Sequence, residues 1–199
     1  MNRILLASNN PGKLREIRAM LAAHGIAVLA QSDFSISEAE ETGLTFIENA
    51  LIKARHAAAI AGVPVIADDS GLEVDALAGA PGVYSARYAG VGASDADNNA
   101  LLLSELAGVP LHRRTARFRC VMVYLRHAHD PSPLIAQGVW DGLILDQARG
   151  EQGFGYDPLF LLADRDCTSA ELQAEEKNRL SHRGKALHSL VAQMLAAEG

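Results

Sequence analysis

Two adjacent carboxylates after a short apolar run are the residues best suited to do chemistry in this chain. The run Val65-Ile66-Ala67 leads directly into Asp68 and Asp69. Neighbouring carboxylates repel each other, so keeping both ionised at the end of a strand requires a cation, hydrogen bonds or water. Because successive strand side chains point to opposite faces, at most one of the two faces a site, while the other can brace a loop. The alternative is that both acids only cap a turn.

Acidic residues earlier in the chain offer additional ligands for a metal. Oxygen ligands suit Mg²⁺, which takes one or two carboxylates and completes its shell with water and substrate phosphate. Glu38, Glu40, Glu41 and Glu48 lie ahead of and within the second predicted helix. A run of acids is usually a solvated face, and that interpretation is favoured for Glu38. Glu40 or Glu41 would complete a metal site with Asp69, and spacing does not choose between them.

The segment Ser8-Asn9-Asn10-Pro11-Gly12-Lys13 lies between a predicted strand and a predicted helix. A helix that begins there directs unpaired backbone N–H groups and the positive end of its dipole at the loop, and Lys13 adds a full charge. The segment therefore suits a phosphate, although it lacks the longer glycine loop of the Walker pattern. An ordinary turn with a solvated lysine is the alternative.

Two segments near the C-terminus could hold a flat, polar ligand. In Gly153-Phe154-Gly155-Tyr156-Asp157-Pro158, glycines allow a close backbone approach, Phe154 offers a stacking face and Asp157 an acceptor for a base edge. In Ser181-His182-Arg183, Ser181 is a predicted N-cap, and cations in a first helical turn are unfavourable unless an anion or a carbonyl-rich ligand compensates. The alternatives are a plain turn and a solvent-facing basic turn.

Other conspicuous side chains are interpreted as structural. Four arginines mostly alternate along one predicted strand, and we expect them to be solvated or to face another subunit: Arg113, Arg114, Arg117 and Arg119. We expect Cys120 to lie in the core and Trp140 to pack in the core or at an interface.

The elements that must position these residues alternate between strands and helices, which indicates an α/β fold. Apolar runs predict strands over 3–7, 26–30, 65–67, 116–125 and 133–145, the last two as a long antiparallel pair. Helical spacing and caps predict helices over 14–21, 45–61 and 94–106 and from 168 to the end, interrupted around 178–184. No linker separates independent domains, so we predict a single domain over 1–199, with one mixed sheet in two lobes around a cleft.

Composition excludes several classes of protein. The chain has 199 residues, 49% hydrophobic and 21% charged, which excludes a disordered chain. No apolar run approaches the roughly 20 residues of a membrane span, and the N-terminus lacks the apolar length of a signal peptide. A net charge of −6 argues against nucleic-acid polymers and anionic membranes as partners. Two widely separated cysteines suit neither a disulfide framework nor a metal motif, so we expect a reducing cytoplasm.

Six segments taken in order resemble the inosine triphosphate pyrophosphatase family, and more closely its bacterial dITP/XTP pyrophosphatase branch. Each motif is weak alone, whereas the ordered set is specific and spans about residues 3 to 195. The segments are 8–13, 41–50, 67–72, 79–88, 153–158 and 181–184. The resemblance implies a long mixed sheet with flanking helices in two lobes around a nucleotide cleft, and a homodimer. It also implies Mg²⁺-dependent hydrolysis of ITP, dITP and XTP to the monophosphate and pyrophosphate.

Site residues are carried over from the resemblance position by position. The triphosphate would lie on Ser8, Asn9, Asn10, Pro11, Gly12 and Lys13. Glu40 or Glu41 would bind the metal with Asp69, which would also activate the attacking water, and Lys53 and Arg87 would lie near the phosphates. The nucleotide would contact Ser70, Phe154, Gly155, Tyr156, Asp157, Lys177, His182 and Arg183, with Phe154 against the ring and Arg183 near the 6-oxo group. Ser8-Asn9 stands where many relatives have Thr-Gly, so the loop backbone has less freedom here.

Two other functions remain open. A related family that acts on modified pyrimidine nucleotides has a different opening motif. A regulatory module that binds nucleotide without catalysis is the other alternative, and Asp69 and the lysines argue against it.

Overall fold

The computed structural model describes residues 3–198, and for Glu198 the backbone alone. Met1, Asn2 and Gly199 lie outside them, so the expectation about the N-terminus falls partly outside the description. Seven strands form one sheet: β1 Arg3–Leu6, β2 Ala27–Ala30, β3 Val65–Val74, β4 Thr115–Leu125, β5 Leu134–Ile144, β6 Phe160–Leu162 and β7 Cys167–Thr168. The helices are α1 Pro11–Ala22, α2 Phe46–Ala61, α3 Asp95–Glu105, α4 Ala174–Leu180 and α5 His182–Glu198.

The sheet is mixed, as predicted, with the strand order β2-β1-β3-β4-β5-β6-β7. Strand β1 is parallel to β2 and β3, whereas β6 is antiparallel to β5 and β7. The two long strands β4 and β5 are neighbours. Parallel neighbours need crossover connections, which α1 and α2 supply at the N-terminal end of the chain. The α/β class is therefore confirmed.

Side-chain caps fix the starts of α1, α2 and α3. Thr45 and Glu48 form the predicted capping box of α2, and Gly62 ends that helix in the left-handed conformation. Asn10 caps α1, and Ser94 with Asp97 caps α3. Each cap satisfies backbone N–H groups that a helix leaves unpaired in its first turn.

Strand β3 is longer than the sequence predicted. We expected it to end at Ala67 with the acids directly after it, but it continues to Val74. Leu72 and Val74 are fully buried, so apolar residues beyond the acids hold the strand in the sheet. Asp68 and Asp69 consequently lie within a strand, and neither caps a turn.

The chain divides into two compact units. Unit 1 comprises residues 3–69, 120–138 and 183–198 among those described, and unit 2 comprises 70–119 and 139–182. Unit 1 has one apolar cluster that includes α1 and α5 and a second that includes α2. Unit 2 has its own cluster, which includes Leu102 and Leu106 of α3, Phe118, Trp140 and Phe160. The single domain over 1–199 and the cleft both stay predictions.

Trp140 and Cys120 are buried, as expected, and both cysteines are free thiols. The expectation of solvated arginines was wrong for Arg114, which is 8% exposed. Its guanidinium donates to the carbonyl oxygens of Leu106 at 3.1 Å and Val109 at 2.8 Å. These carbonyls lie just beyond α3, so a buried cation there completes the end of the helix.

Among the described residues, no helix has the length and apolarity needed to cross a membrane.

Candidate active site

Strand β3 presents Asp68 and Asp69 to opposite faces of the sheet, as the alternation of strand side chains predicts. Ile66 belongs to the apolar cluster with α1 and α5, whereas Val65 and Ala67 belong to the cluster with α2. Strand alternation places Asp68 on the same face as Ile66, and Asp69 on the same face as Val65 and Ala67. The two carboxylates therefore meet different partners.

Asp69 belongs to a group of three side chains, Glu41, Lys53 and Asp69, called the acid–lysine cluster below. The Lys53 Nζ atom lies 2.7 Å from Asp69 Oδ1 and 2.9 Å from Glu41 Oε1. Asp69 is 7% exposed, and its Oδ2 atom is buried without a hydrogen-bond partner among residues 3–198. An unsatisfied buried carboxylate oxygen is unfavourable unless a ligand completes its coordination.

Burial and ion pairing act in opposite directions on these groups. Burial raises the pKa of Asp69 above its ordinary value, and the ammonium of Lys53 only partly offsets that effect. Burial lowers the pKa of Lys53, but the carboxylates of Asp69, Asp68 and Glu41 outweigh it and raise the pKa above its ordinary value. The cluster thus combines a carboxylate of increased basicity with a lysine that stays charged.

The structure distinguishes the two glutamates that spacing could not. Glu41 is half-buried and contacts Lys53, whereas Glu40 is exposed. No group of three or more His, Cys, Asp or Glu side chains in the described part of the chain is arranged to hold a metal ion. Glu41 and Asp69 remain a pair of carboxylates beside one lysine, a number of protein ligands that suits Mg²⁺.

The loop of residues 8–13 differs from the expectation of unpaired N–H groups. Asn10 Oδ1 accepts from the backbone N–H groups of Gly12 at 2.9 Å and Lys13 at 3.1 Å. The N–H of Asn10 donates to Ser8 Oγ, and Pro11 has no N–H. These donors are paired because asparagine is a strong N-cap residue. The charge that this loop offers an anion therefore comes mainly from the Lys13 side chain.

Four charged side chains meet on the other face of β3, and they are called the charge quartet below: Lys13, Glu16, Asp68 and Arg183. Asp68 Oδ2 lies 2.8 Å from Lys13 Nζ and 3.7 Å from Arg183 Nε, and Arg183 also donates to Glu16. Burial raises the pKa of Asp68, but Lys13, Arg183 and Lys53 outweigh it and hold that pKa well below its ordinary value. Asp68 is therefore permanently ionised.

The start of α5 at His182 places Ser181 directly before the helix, and the solvent-facing alternative for the cations was wrong. Arg183 is 2% exposed, and its compensating anions belong to the protein, namely Glu16 and Asp68. His182 is 5% exposed, and its ring stacks on Phe118 with centroids 4.8 Å apart. Both side chains are packed, so this is not a solvent-facing basic turn.

In unit 2, residues 153–157 form a loop held by its own aspartate, called the glycine loop below. Asp157 Oδ2 accepts from the Phe154 N–H at 2.9 Å and from Lys177 Nζ at 2.6 Å, and Oδ1 accepts from Ser169 Oγ at 2.8 Å. Asp157 is 3% exposed, and its carboxylate braces the loop in this structure. Its contact with a base edge stays a prediction. Lys177 Nζ lies 5.1 Å from the centre of the half-buried Phe154 ring.

The remaining candidates of unit 2 occupy separate positions. The Tyr156 hydroxyl donates to the carbonyl of Ser85 at 2.8 Å. Arg87 ends a short helical turn and stacks over the exposed Tyr84 ring at 5.4 Å. Ser70 is half-buried on β3.

Sequence reasoning missed several polar partners of these groups. Glu16 holds Arg183, and Asp95 and Asn99 of α3 bind the backbone N–H and carbonyl of Gly155 at 2.7 and 3.0 Å. The i, i+4 spacing of Asp95 and Asn99 puts both on one helix face, which was a detectable signal. Glu16 gave none, because its partner lies 167 residues away along the chain.

Comparison with known proteins covers almost the whole chain. A sequence model of the Ham1 family matches residues 4–193. The chain is 59% identical over 196 residues to the dITP/XTP pyrophosphatase of Vibrio parahaemolyticus, with 98% of each covered. It is 57% identical over 192 residues to that of Photobacterium profundum, covering 96% of this chain and 98% of the relative.

Solved structures agree with the fold. A HAM1 protein from Coxiella burnetii superimposes with a TM-score of 0.90 at 47% identity, covering 98% of this chain and all of that one. The Ham1 protein of Staphylococcus aureus gives a TM-score of 0.85 at 41% identity, covering 99% and 100%. These matches confirm the resemblance found in the ordered motifs, and the chain belongs to the Ham1 family.

Proposed function

We propose that the chain hydrolyses non-canonical purine nucleoside triphosphates, namely ITP, dITP and XTP, to the monophosphate and pyrophosphate, and so clears them from the nucleotide pool. The observation that carries the proposal is the contact of Asp69 with Lys53 at 2.7 Å, which puts a buried base beside a cation. The relatives named dITP/XTP pyrophosphatase, 59% and 57% identical, support the substrate class.

The proposed reaction depends on Mg²⁺, which Glu41 and Asp69 would hold. Asp69 Oδ2 is buried without a hydrogen-bond partner among the described residues, so it can accept a ligand. Four carboxylates and three cations make up the acid–lysine cluster and the charge quartet, which leaves a net charge of −1. A triphosphate is strongly anionic, so these residues need an added cation to bind it. When bound, Mg²⁺ would neutralise phosphate oxygens and make the phosphorus more electrophilic.

Asp69 acts as the general base in this proposal. Its carboxylate takes a proton from a water molecule, whose oxygen attacks the phosphorus nearest the nucleoside. The bond from that phosphorus to the bridging oxygen breaks, and its electron pair leaves with pyrophosphate. Lys13 and Lys53 stabilise the negative charge that develops on the phosphate oxygens.

The proposed contacts of the nucleoside begin with the glycine loop. The Phe154 ring offers a stacking face, and Lys177 beside it adds positive charge. Ser70, Arg87 and His182 are further proposed contacts, and the backbone of Gly155 and Tyr156 lies in the same loop. A donor directed at a 6-oxo group is left unpaired by the 6-amino group of ATP, which accounts for discrimination against ATP. The Arg183 guanidinium is paired with Glu16 and Asp68 in this structure. To supply the donor, it would have to reach past these two carboxylates to the 6-oxo group.

The quaternary structure and location follow the resemblance as well. The proposal includes a homodimer in the cytoplasm, with neither a nucleic-acid polymer nor a membrane as partner. Two free cysteines support a reducing compartment, and a net charge of −6 argues against nucleic-acid polymers and anionic membranes as partners. Sedimentation of the purified chain tests the dimer.

A product assay tests the proposed activity. The purified chain is incubated with ITP, XTP, ATP, GTP or dTTP, in Mg²⁺ or in EDTA, and pyrophosphate is separated from orthophosphate. We expect pyrophosphate from ITP and XTP with kcat/KM about 10²-fold or more above that for ATP, because the unpaired donor penalises the amino group. EDTA should abolish release. Orthophosphate as product, a preference for dTTP, or binding of ITP without turnover would each contradict the proposal.

A further inference from the structure

We propose that Asp68 is a positioning residue that acts through Lys13, fixing the lysine ammonium where it meets the phosphates. This inference rests on the proposed function, because it assigns Asp68 a part in the same reaction. Asp68 does not itself contact substrate in this proposal. Its neighbour Asp69 has the separate role of general base on the opposite face of the strand.

The geometry of the contact supports an anchor. Asp68 is 1% exposed and lies within β3, a rigid strand flanked by β1 and β4. Its Oδ2 atom lies 2.8 Å from Lys13 Nζ, while the Lys13 side chain keeps 15% of its surface exposed. An ammonium has three N–H donors, so the bond to Asp68 does not exhaust it. The ammonium is thus held by Asp68 while part of the Lys13 side chain stays exposed.

A lysine in this position needs an anchor because its side chain is long and flexible. Four rotatable bonds allow a free ammonium to occupy many positions, and ordering it when the phosphate binds would cost free energy. A buried carboxylate that orders the lysine before substrate binds removes this cost from the binding step. Asp68 meets that requirement by its position, because it is 1% exposed and its Oδ2 atom lies 2.8 Å from Lys13 Nζ.

The charge quartet indicates which partner depends on Asp68. Arg183 contacts Glu16 as well as Asp68, and its distance to Asp68 Oδ2 is the longer one, 3.7 Å against 2.8 Å for Lys13. Replacing Asp68 by asparagine therefore leaves Arg183 its contact with Glu16. Lys13 loses its charged partner, so the effect on activity should pass through Lys13.

A double-mutant cycle on Asp68 and Lys13 tests the inference. The variants are Asp68→Asn, Lys13→Met and the double variant, and kcat/KM for ITP is measured with thermal unfolding of each. We expect Asp68→Asn to lower kcat/KM by about 10²-fold in the wild-type background, since displacement of a phosphate contact by about an ångström has this effect. In the Lys13→Met background the same change should cost less than about twofold, because the side chain that Asp68 positions is already gone.

Asp130→Asn is the matched control. Asp130 is another carboxylate of unit 1 that is 1% exposed, and Arg126 holds it at 2.6 and 2.8 Å. Its replacement should lower the unfolding temperature but keep kcat/KM within about twofold of wild type, as expected for independent sites. If Asp130→Asn lost activity as severely as Asp68→Asn, the loss would reflect stability alone and the inference would be overturned.

Further measurements cover the remaining outcomes. Equal losses from Asp68→Asn in both backgrounds would show that Asp68 acts independently of Lys13, which overturns the inference. If Asp68→Asn does not fold, Asp68→Glu replaces it in the cycle, because it keeps the charge but moves the carboxylate by one methylene.

Binding of inorganic pyrophosphate to the wild type and the same variants is also measured by calorimetry. This measurement repeats the double-mutant cycle and does not depend on catalytic turnover. Should the wild type bind pyrophosphate but hydrolyse no purine triphosphate, the proposed function fails. The coupling between Asp68 and Lys13 is then measured from the dissociation constants of pyrophosphate for the wild type and the three variants. We expect the same coupling in these constants, and its absence would overturn the inference.

Discussion

Asp69 combines a buried position, a nearby cation and an oxygen without a hydrogen-bond partner among the described residues. An unpaired buried acceptor costs about 1–3 kcal/mol, and a bound cation or water would remove that cost. The arrangement of Asp69 therefore suits a role in binding a ligand. Strain of this kind is expected where a fold keeps a residue for chemistry.

Asp69→Asn tests this account. We expect turnover of ITP to fall by about 10³-fold, because an amide cannot accept the proton from water. The unfolding temperature should change by only a few degrees, since asparagine is isosteric and Lys53 retains Glu41. Steady-state kinetics and calorimetric unfolding measure the two effects. Near-normal activity in this variant would exclude Asp69 as the base.

Single residues were predictable where local rules apply. The opposite orientation of Asp68 and Asp69 followed from strand alternation, and the capping box at Thr45 followed from its spacing to Glu48. The partners of Arg183 were not predictable, because Glu16 and Asp68 are far from it in the sequence. The sequence indicated that Arg183 needs an anion, and the fold supplies protein carboxylates for that purpose.

At the level of elements, β3 and the glycine loop show where sequence patterns mislead. Polar residues in the middle of β3 resemble the end of a strand, yet Leu72 and Val74 continue it because they are buried in unit 2. In the glycine loop, Asp157 resembles a ligand contact, yet it accepts three hydrogen bonds from its own surroundings. The end of β3 was predicted wrongly and the bracing role of Asp157 was missed, because a single sequence does not show which long-range partners surround a residue.

Two glycines of this loop make a matched pair for a test. At Gly153 a Cβ would lie 2.1 Å from Asp157 Oδ2, whereas at Gly155 nothing lies within 4 Å, and both residues have positive φ. Gly155→Ala should therefore cost only the backbone strain of about 1–2 kcal/mol. Gly153→Ala adds a clash with the carboxylate that braces Phe154 and Lys177.

We expect Gly153→Ala to lower the unfolding temperature more than Gly155→Ala does. We also expect KM for ITP to be about tenfold higher in Gly153→Ala than in Gly155→Ala, because displacement of the Asp157 carboxylate would move the Phe154 ring. Thermal unfolding and initial-rate kinetics of the two variants provide the comparison. Equal values of KM for both would show that Asp157 does not position the loop for nucleotide binding.

At the scale of the whole molecule, composition argued against nucleic-acid polymers and anionic membranes as partners, but it did not locate the candidate active site. A net charge of −6 argues against a polymer of nucleic acid, but it does not describe the local balance of four carboxylates and three cations on the two faces of β3. The α/β class was predictable because strands and helices alternate along the chain. Two lobes were predicted as well, but the boundaries of the two units were not, since β3, β4 and β5 each contain residues of both.

The two cysteines provide a probe for each unit. Cys120 is 1% exposed in unit 1, where burial raises the pKa of its thiol to about 12, and Cys167 is half-buried in unit 2. Thiolate is the reactive form, so a disulfide reagent should modify Cys167 slowly in the native protein and leave Cys120 unmodified. Mass spectrometry of the labelled peptides identifies the site.

Labelling of Cys120 across a urea titration then tests whether the units unfold together. Three strands run through both units, so unfolding of unit 1 would remove parts of the same strands that unit 2 contains. We therefore expect the midpoint for Cys120 labelling in a Cys167→Ser variant to coincide with the midpoint for loss of helical circular dichroism. The reciprocal Cys120→Ser variant reports on unit 2. Exposure of Cys120 at clearly lower urea would instead show that unit 1 opens on its own, because two-state unfolding requires coincident transitions from both probes.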